Sequence, residues 1–257
     1  MTLLAIALVA AVGGAVNSIA GGGTLLTFPS LIALGIPPIV ANATSTVALW
    51  PGALASMWGY RRQLAGARAW AVRFAIPSLA GGLAGALLLL NTPAERFSML
   101  VPWLVLAATL LFMAQGPLMR RLRAGRHAMD DAEAVESLAP PPVLFLIYQF
   151  VVGIYGGYFG AGVGILMLAS LGMMGLVNIH RMNGLKNWGG MCMNAVAAVT
   201  FAITGIVNWP VALAMAAGAM AGGYAGARLA QRVRQRSVRK AIIAIGLLST
   251  IWLAFGR

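Results

Sequence analysis

The chain predicts an all-α fold: a polytopic transmembrane helical bundle of two inverted five-segment repeats, with short or broken helices near the membrane midplane. Three observations carry this expectation. Hydrophobic residues make up 60% of the 257 residues and charged residues only 9%, where a soluble domain carries about 25% charged residues. The apolar residues fall into runs such as TLLAIALVAAVGGAVNSIA (2–20) and VPWLVLAATLLFMAQG (101–116), which need an apolar solvent and, in it, a backbone satisfied as helix. The third observation is that the two halves repeat each other in sequence.

AGGLAGA at 80–86 matches AGGYAGA at 221–227, an offset of 141. The same offset lays Gly21 on Gly162, Gly23 on Gly164, Leu25 on Leu166, Asn42 on Asn183 and Ser45 on Lys186. An offset of 139 pairs Gly66 with Gly205 and Trp70 with Trp209, which needs only a small gap. Several matches in order indicate a duplication of about half the chain.

The first repeat, 1–116, divides into apolar segments near 2–20, 24–35, 41–58, 69–90 and 97–116. The second, 143–257, divides near 143–158, 163–177, 186–206, 209–227 and 239–256. Between them, 117–142 reads as a cytoplasmic linker with four arginines, four of the five acids and Pro140-Pro141-Pro142. Met1-Thr2 offers no basic stretch ahead of the first run, which therefore reads as a retained helix. The second segments are short and follow glycine clusters, Gly21-Gly22-Gly23 and Gly160-Ala-Gly162-Val-Gly164. Polar stretches follow them, ANATST at 41–46 and RMNGLKN at 181–187. Short, glycine-interrupted segments at matching places in two halves point to a midplane transport site.

If all ten segments cross with the N-terminus outside, the inner loops collect 16 of the 18 basic residues, leaving Arg96 and Arg257 outside. That satisfies the positive-inside rule, and it sets both termini outside a cytoplasmic (inner) membrane. Five crossings per half also make the repeats inverted. The net charge of +13 is thus spent on orientation in the bilayer, and nucleic acid is not an expected partner. Cys192 is the only cysteine and there are two histidines, so neither a disulfide nor a metal cluster is expected, and no cofactor is implied.

The stretches GGGTLLTFPSLIALGIPPIVANATS (21–45) and GGYFGAGVGILMLASLGMMGLVNIHRMNGLK (156–186) resemble the TauE/SafE family of sulfite and organosulfonate permeases. The likeness covers nearly the whole chain outside the linker. Where the family usually has Thr-Lys, this chain has Leu185-Lys186, which keeps the cation and loses the hydroxyl. The resemblance implies movement of small sulfur-containing or carboxylated anions across the cytoplasmic membrane, usually outward.

The residues suit an anion on their own chemistry. Helix N-termini offer free N–H groups and a positive dipole end, and glycine lets backbone approach a ligand. Asn42, Thr44, Ser45 and Asn183 are N-cap types ahead of apolar runs. The candidate substrate-binding residues are Gly22, Gly23, Thr24, Asn42, Thr44, Ser45, Gly162, Gly164, Asn183, Lys186 and Asn187. Lys186 reads either as an anion ligand or as a lysine snorkelling to the interface. Arg181 reads as an inside-positive anchor or a charge guiding access from the cytoplasm, and His180 as a loop histidine or a carrier of a coupling proton. Asn17 and Asn194 read as helix glue or path lining, and the two AGGxAGA strings as close-packing faces.

No carboxylate falls inside an expected span, which disfavours an Asp/Glu proton relay. Coupling to H⁺ or Na⁺, or to the membrane potential alone, stays open; the potential favours anion exit by about 2.3 kcal/mol per charge per 100 mV. The competing readings are a same-fold permease importing or exporting another anion, an anion channel, and an intramembrane enzyme. The last lacks a nucleophile elbow and a metal-holding acidic pair. A homodimer is an open partner.

Overall fold

The computed structural model describes residues 3–62, 64, 68–123, 142–174, 176, 179–229 and 235–255. These form α1 (Leu3–Ala20), α2 (Thr24–Ala33), α3 (Pro38–Gly59), α4 (Arg68–Leu90), α5 (Ala94–Arg123), α6 (Val143–Tyr158), α7 (Val163–Met173), α8 (Ile179–Ile203), α9 (Trp209–Leu229) and α10 (Gln235–Phe255). The all-helical expectation holds among them. Most of the linker, 124–141, and the repeat partner Gly66 lie outside the described residues.

Among the described residues, three helices are long and apolar enough to cross a membrane: Trp70–Leu90, Ala94–Ala114 and Trp209–Leu229. Others are shorter but apolar, and α2 and α7 have 10 and 11 residues, or about 15 Å of helix. Large apolar side chains such as Leu4, Trp103, Leu144, Ile203 and Leu248 stand on the outer surface, as a lipid-facing shell requires. Inside it, hydroxyls turn back on their own backbone: Ser78 to Phe74 O (2.7 Å), Thr109 to Val105 O (2.7 Å) and Ser30 to Leu26 O (2.8 Å). That satisfies each hydroxyl without a second helix.

The helix pairings exchange between the halves. α1 packs on α9 and α6 on α4; α3 packs on α9 and α8 on α4; α10 lies on α2 and α5 on α7. The glycine faces show the same reciprocity in detail. A side chain at Gly82 of α4 would strike Met193 backbone in α8, and one at Gly223 of α9 would strike Gly52 backbone in α3. Gly81 lies against Phe150 and Gly153 of α6, and Gly222 against Ala11 of α1. The Gly82 and Gly223 contacts are mates at the 141-residue offset, and those of Gly81 and Gly222 fall within two positions of it.

Two boundaries differ from the expectation. The polar stretches 41–46 and 181–187 lie inside α3 and α8, which begin at Pro38 and Ile179, upstream of the starts expected near 41 and 186. Pro37-Pro38 starts α3 early, because a proline at the first helical position lacks a donor that would be unpaired anyway. Gly35 ends the preceding turn at φ +78, with its N–H on Ile32 O and that of Ile36 on Leu31 O, the bonding of a left-handed C-terminal cap. The second difference is α5, which runs on through Arg123 instead of ending near 116, with Glu95 in its first turn, where the helix dipole favours an acid.

Candidate functional site

The two glycine breaks meet each other. Gly21 follows α1 at φ +80 and Gly162 precedes α7 at φ +76. A Cβ on Gly21 would sit 2.5 Å from Gly164 Cα, so the loops cross at backbone contact and only glycine fits. Gly22 lies under the Phe112 ring, and Gly23 against the backbone of Gly13. Those two glycines therefore make room for protein. Thr24 opens α2.

Lys186 of α8 is buried, with 2% of its surface exposed. Its ammonium donates to Asn17 O (3.0 Å) and Ser18 O (2.9 Å) in the last turn of α1. Asn187 donates from Nδ2 to Ser18 O (3.3 Å) and Ser56 Oγ (2.8 Å), and Ser56 Oγ donates to Ser18 Oγ (2.7 Å). A cation is favoured there by the negative pole of α1. The acid Glu95 is exposed at the start of α5, so no described carboxylate neutralises this buried charge.

Beside the ammonium lies a cavity of about 20 Å³, whose lining includes Asn17, Gly21, Gly164, Lys186, Asn187 and Asn194. That holds about one water. A larger solute needs the helices to move apart.

The structure thus brings Lys186, Asn187 and Gly164 together and leaves other candidates elsewhere. Ser45 shares a hydrogen bond with Thr27 (2.6 Å), Thr44 accepts from Asn208 N (3.0 Å), and Asn42 donates to Tyr158 O (2.9 Å). The N-cap role is corrected: Asn42 and Asn183 lie one turn inside α3 and α8, and the recorded N-cap of α3 is Pro37. Asn42 instead pins the end of α6, one repeat away from the Asn17 carbonyl that Lys186 holds. Ser45, aligned with Lys186, does not line the cavity, because its short side chain is spent on Thr27. Asn183 is fully buried, and neither atom of its amide has a hydrogen-bond partner among the described residues. Arg181 and His180 sit half-buried in the first turn of α8. Gly162 is the left-handed residue ahead of α7.

Sequence reasoning missed Ser18 and Ser56. The available signal was the repeat itself: at 141 residues' offset the second half has Phe159 and Ala197, so the hydroxyls mark a departure between otherwise similar halves.

The family description "Sulfite exporter TauE/SafE" matches residues 6–253. The chain belongs to the TauE/SafE family. It is 30% identical over 225 residues to a probable membrane transporter protein, ORF9, of Sinorhizobium sp, covering 84% of this chain and 78% of that one. It is 27% identical over 243 residues to a probable membrane transporter protein of Haemophilus influenzae, covering 93% and 89%. To the probable membrane transporter protein YfcA of Escherichia coli K12 it is 27% identical over 256 residues, covering 96% and 87%. No solved structure matches. As a TauE/SafE protein with such relatives, the chain is a membrane transporter.

Proposed function

We propose that this transporter exports small anions from the cytoplasm, with sulfite and organosulfonates as the substrate class. One observation carries the reading: a buried ammonium, with no carboxylate among the described residues to neutralise it, beside a small cavity where the two glycine breaks meet. An unpaired charge in an apolar medium is costly, and an anionic substrate in the cavity completes its pairing. Two of the three ammonium donors are held by α1, and the ammonium's residue also lines the cavity. The family description supports sulfur oxyanions, and the membrane potential supplies an outward drive for an anion. The inverted relation of the two repeats, the cytoplasmic 117–142 linker and the outer termini in the inner membrane belong to the same reading. They are supported by the five-segment parity and by the reciprocal helix pairing.

The test is flux and counterflow in proteoliposomes with sulfite, sulfoacetate, sulfolactate, taurine and simple carboxylates. Saturable counterflow of a sulfur oxyanion is expected. Flux of carboxylates alone moves the substrate class, non-saturating flux without counterflow makes the protein a channel, and no flux of any anion overturns the reading.

A further inference from the structure

The two carbonyls that hold Lys186 do not depend on it for satisfaction. Asn17 O already accepts from Gly21 N (3.0 Å), and Ser18 O accepts from Asn187 Nδ2 (3.3 Å). They nevertheless converge on one point, because the left-handed turn at Gly21 carries the chain away and leaves the end of α1 open. The hydroxyls of Ser18 and Ser56 are bonded to each other at the same place (2.7 Å), and Asn187 fixes Ser56 from the far side (2.8 Å). The set is rich in oxygen, sits at the negative pole of a broken helix and faces a cation. Carbonyls at such helix ends are where secondary transporters coordinate coupling ions. In the other half, the equivalent carbonyl of Tyr158 meets the neutral amide of Asn42.

We propose that the end of α1 is a monovalent-cation site, which the chain fills with its own Lys186 ammonium in place of a soluble Na⁺. The countercharge for the anion then resides on the protein, and transport needs no Na⁺. Removing the lysine vacates the oxygen set and makes it available to Na⁺. This rests on the anion reading for its flux arm only; the stability arm is independent of substrate.

The experiment compares the parent chain with Lys186→Ala, in Na⁺ and in choline at equal ionic strength, by thermal unfolding in detergent and by anion flux in proteoliposomes. The parent should show the same Tm and flux in both salts. Lys186→Ala should lose flux about tenfold or more in choline, the worth of one charge-assisted contact, and regain part of it in Na⁺. Its Tm should rise with Na⁺ and not with choline, since only a ligand of the folded state stabilises it. Adding Ser56→Ala should weaken the Na⁺ response. A parent that requires Na⁺, or a Lys186→Ala protein indifferent to it, overturns the proposal. If Lys186→Ala is not recovered, Lys186→Ser is put to the same test, and failure to recover either protein even in Na⁺ also counts against it. Na⁺ stabilisation of the variant with no anion flux in the parent keeps the cation site and defeats the transport reading. Anion flux in the parent with a Na⁺-indifferent variant does the reverse.

Discussion

Lys186→Met separates a ligand lysine from a structural one, and the geometry says by how much. The substitution deletes two ammonium contacts to α1, at 2.9 and 3.0 Å, and the donor beside the cavity. Both carbonyls keep another partner, Gly21 N for Asn17 and Asn187 Nδ2 for Ser18, so neither is orphaned. The folded state loses the net worth of two hydrogen bonds and is relieved of a buried charge, and removal of such a charge is often neutral or better. The stability change should therefore stay within about 1–2 kcal/mol. Anion affinity has no such compensation. Losing one charge-assisted contact costs about 1.5–3 kcal/mol, roughly 10- to 150-fold in Kd. Equilibrium binding of sulfite to the purified variant, with Tm measured in parallel, reads both quantities. Unchanged affinity together with a large fall in Tm would refute the assignment and leave the lysine as a cap on α1.

The remaining expectations concern packing, access and orientation. Gly82→Val and Gly223→Val should both destabilise, by about 1–3 kcal/mol or more, because each new side chain meets the backbone of a facing helix; a large effect at one and none at the other would break the reciprocity of the halves. Gly35→Ala and Gly205→Ala have open space around them and a positive φ of +78 and +73, so each should cost only the left-handed backbone penalty, about 1–2 kcal/mol, by thermal unfolding. Arg181→Gln should slow anion uptake from the cytoplasmic face, with the difference shrinking as salt rises; inside-out vesicles measure it, and a salt-independent defect argues for direct ligation. On a Cys192→Ser background, cysteines in the 117–142 linker should label only from the cytoplasmic side. Labelling only from the opposite face would reverse the orientation.

The fold class was legible in the sequence because it rests on composition and periodicity, which act residue by residue: long apolar runs in a chain with 9% charge leave only helices in lipid. The matching AGGxAGA strings were visible for a similar reason, since Gly82 and Gly223 each stand where a facing backbone admits nothing larger. Lys186 was legible as a cation without an acid, and the glycine clusters as places where helices break. Its partners were not, because Asn17 and Ser18 meet it through main-chain carbonyls, which every residue type possesses and no sequence pattern marks. Nor did local sequence reveal that Asn42 and Asn183 sit inside helices. An N-cap residue type shows a preference, whereas the helix start was set upstream in α3 by Pro37-Pro38. Ser45 and Lys186 occupy matched positions in the repeat, yet the hydroxyl turns to Thr27 while the ammonium reaches the other half's helix end. That difference is one of side-chain length and charge acting across the packed interface, so only the tertiary structure could decide it.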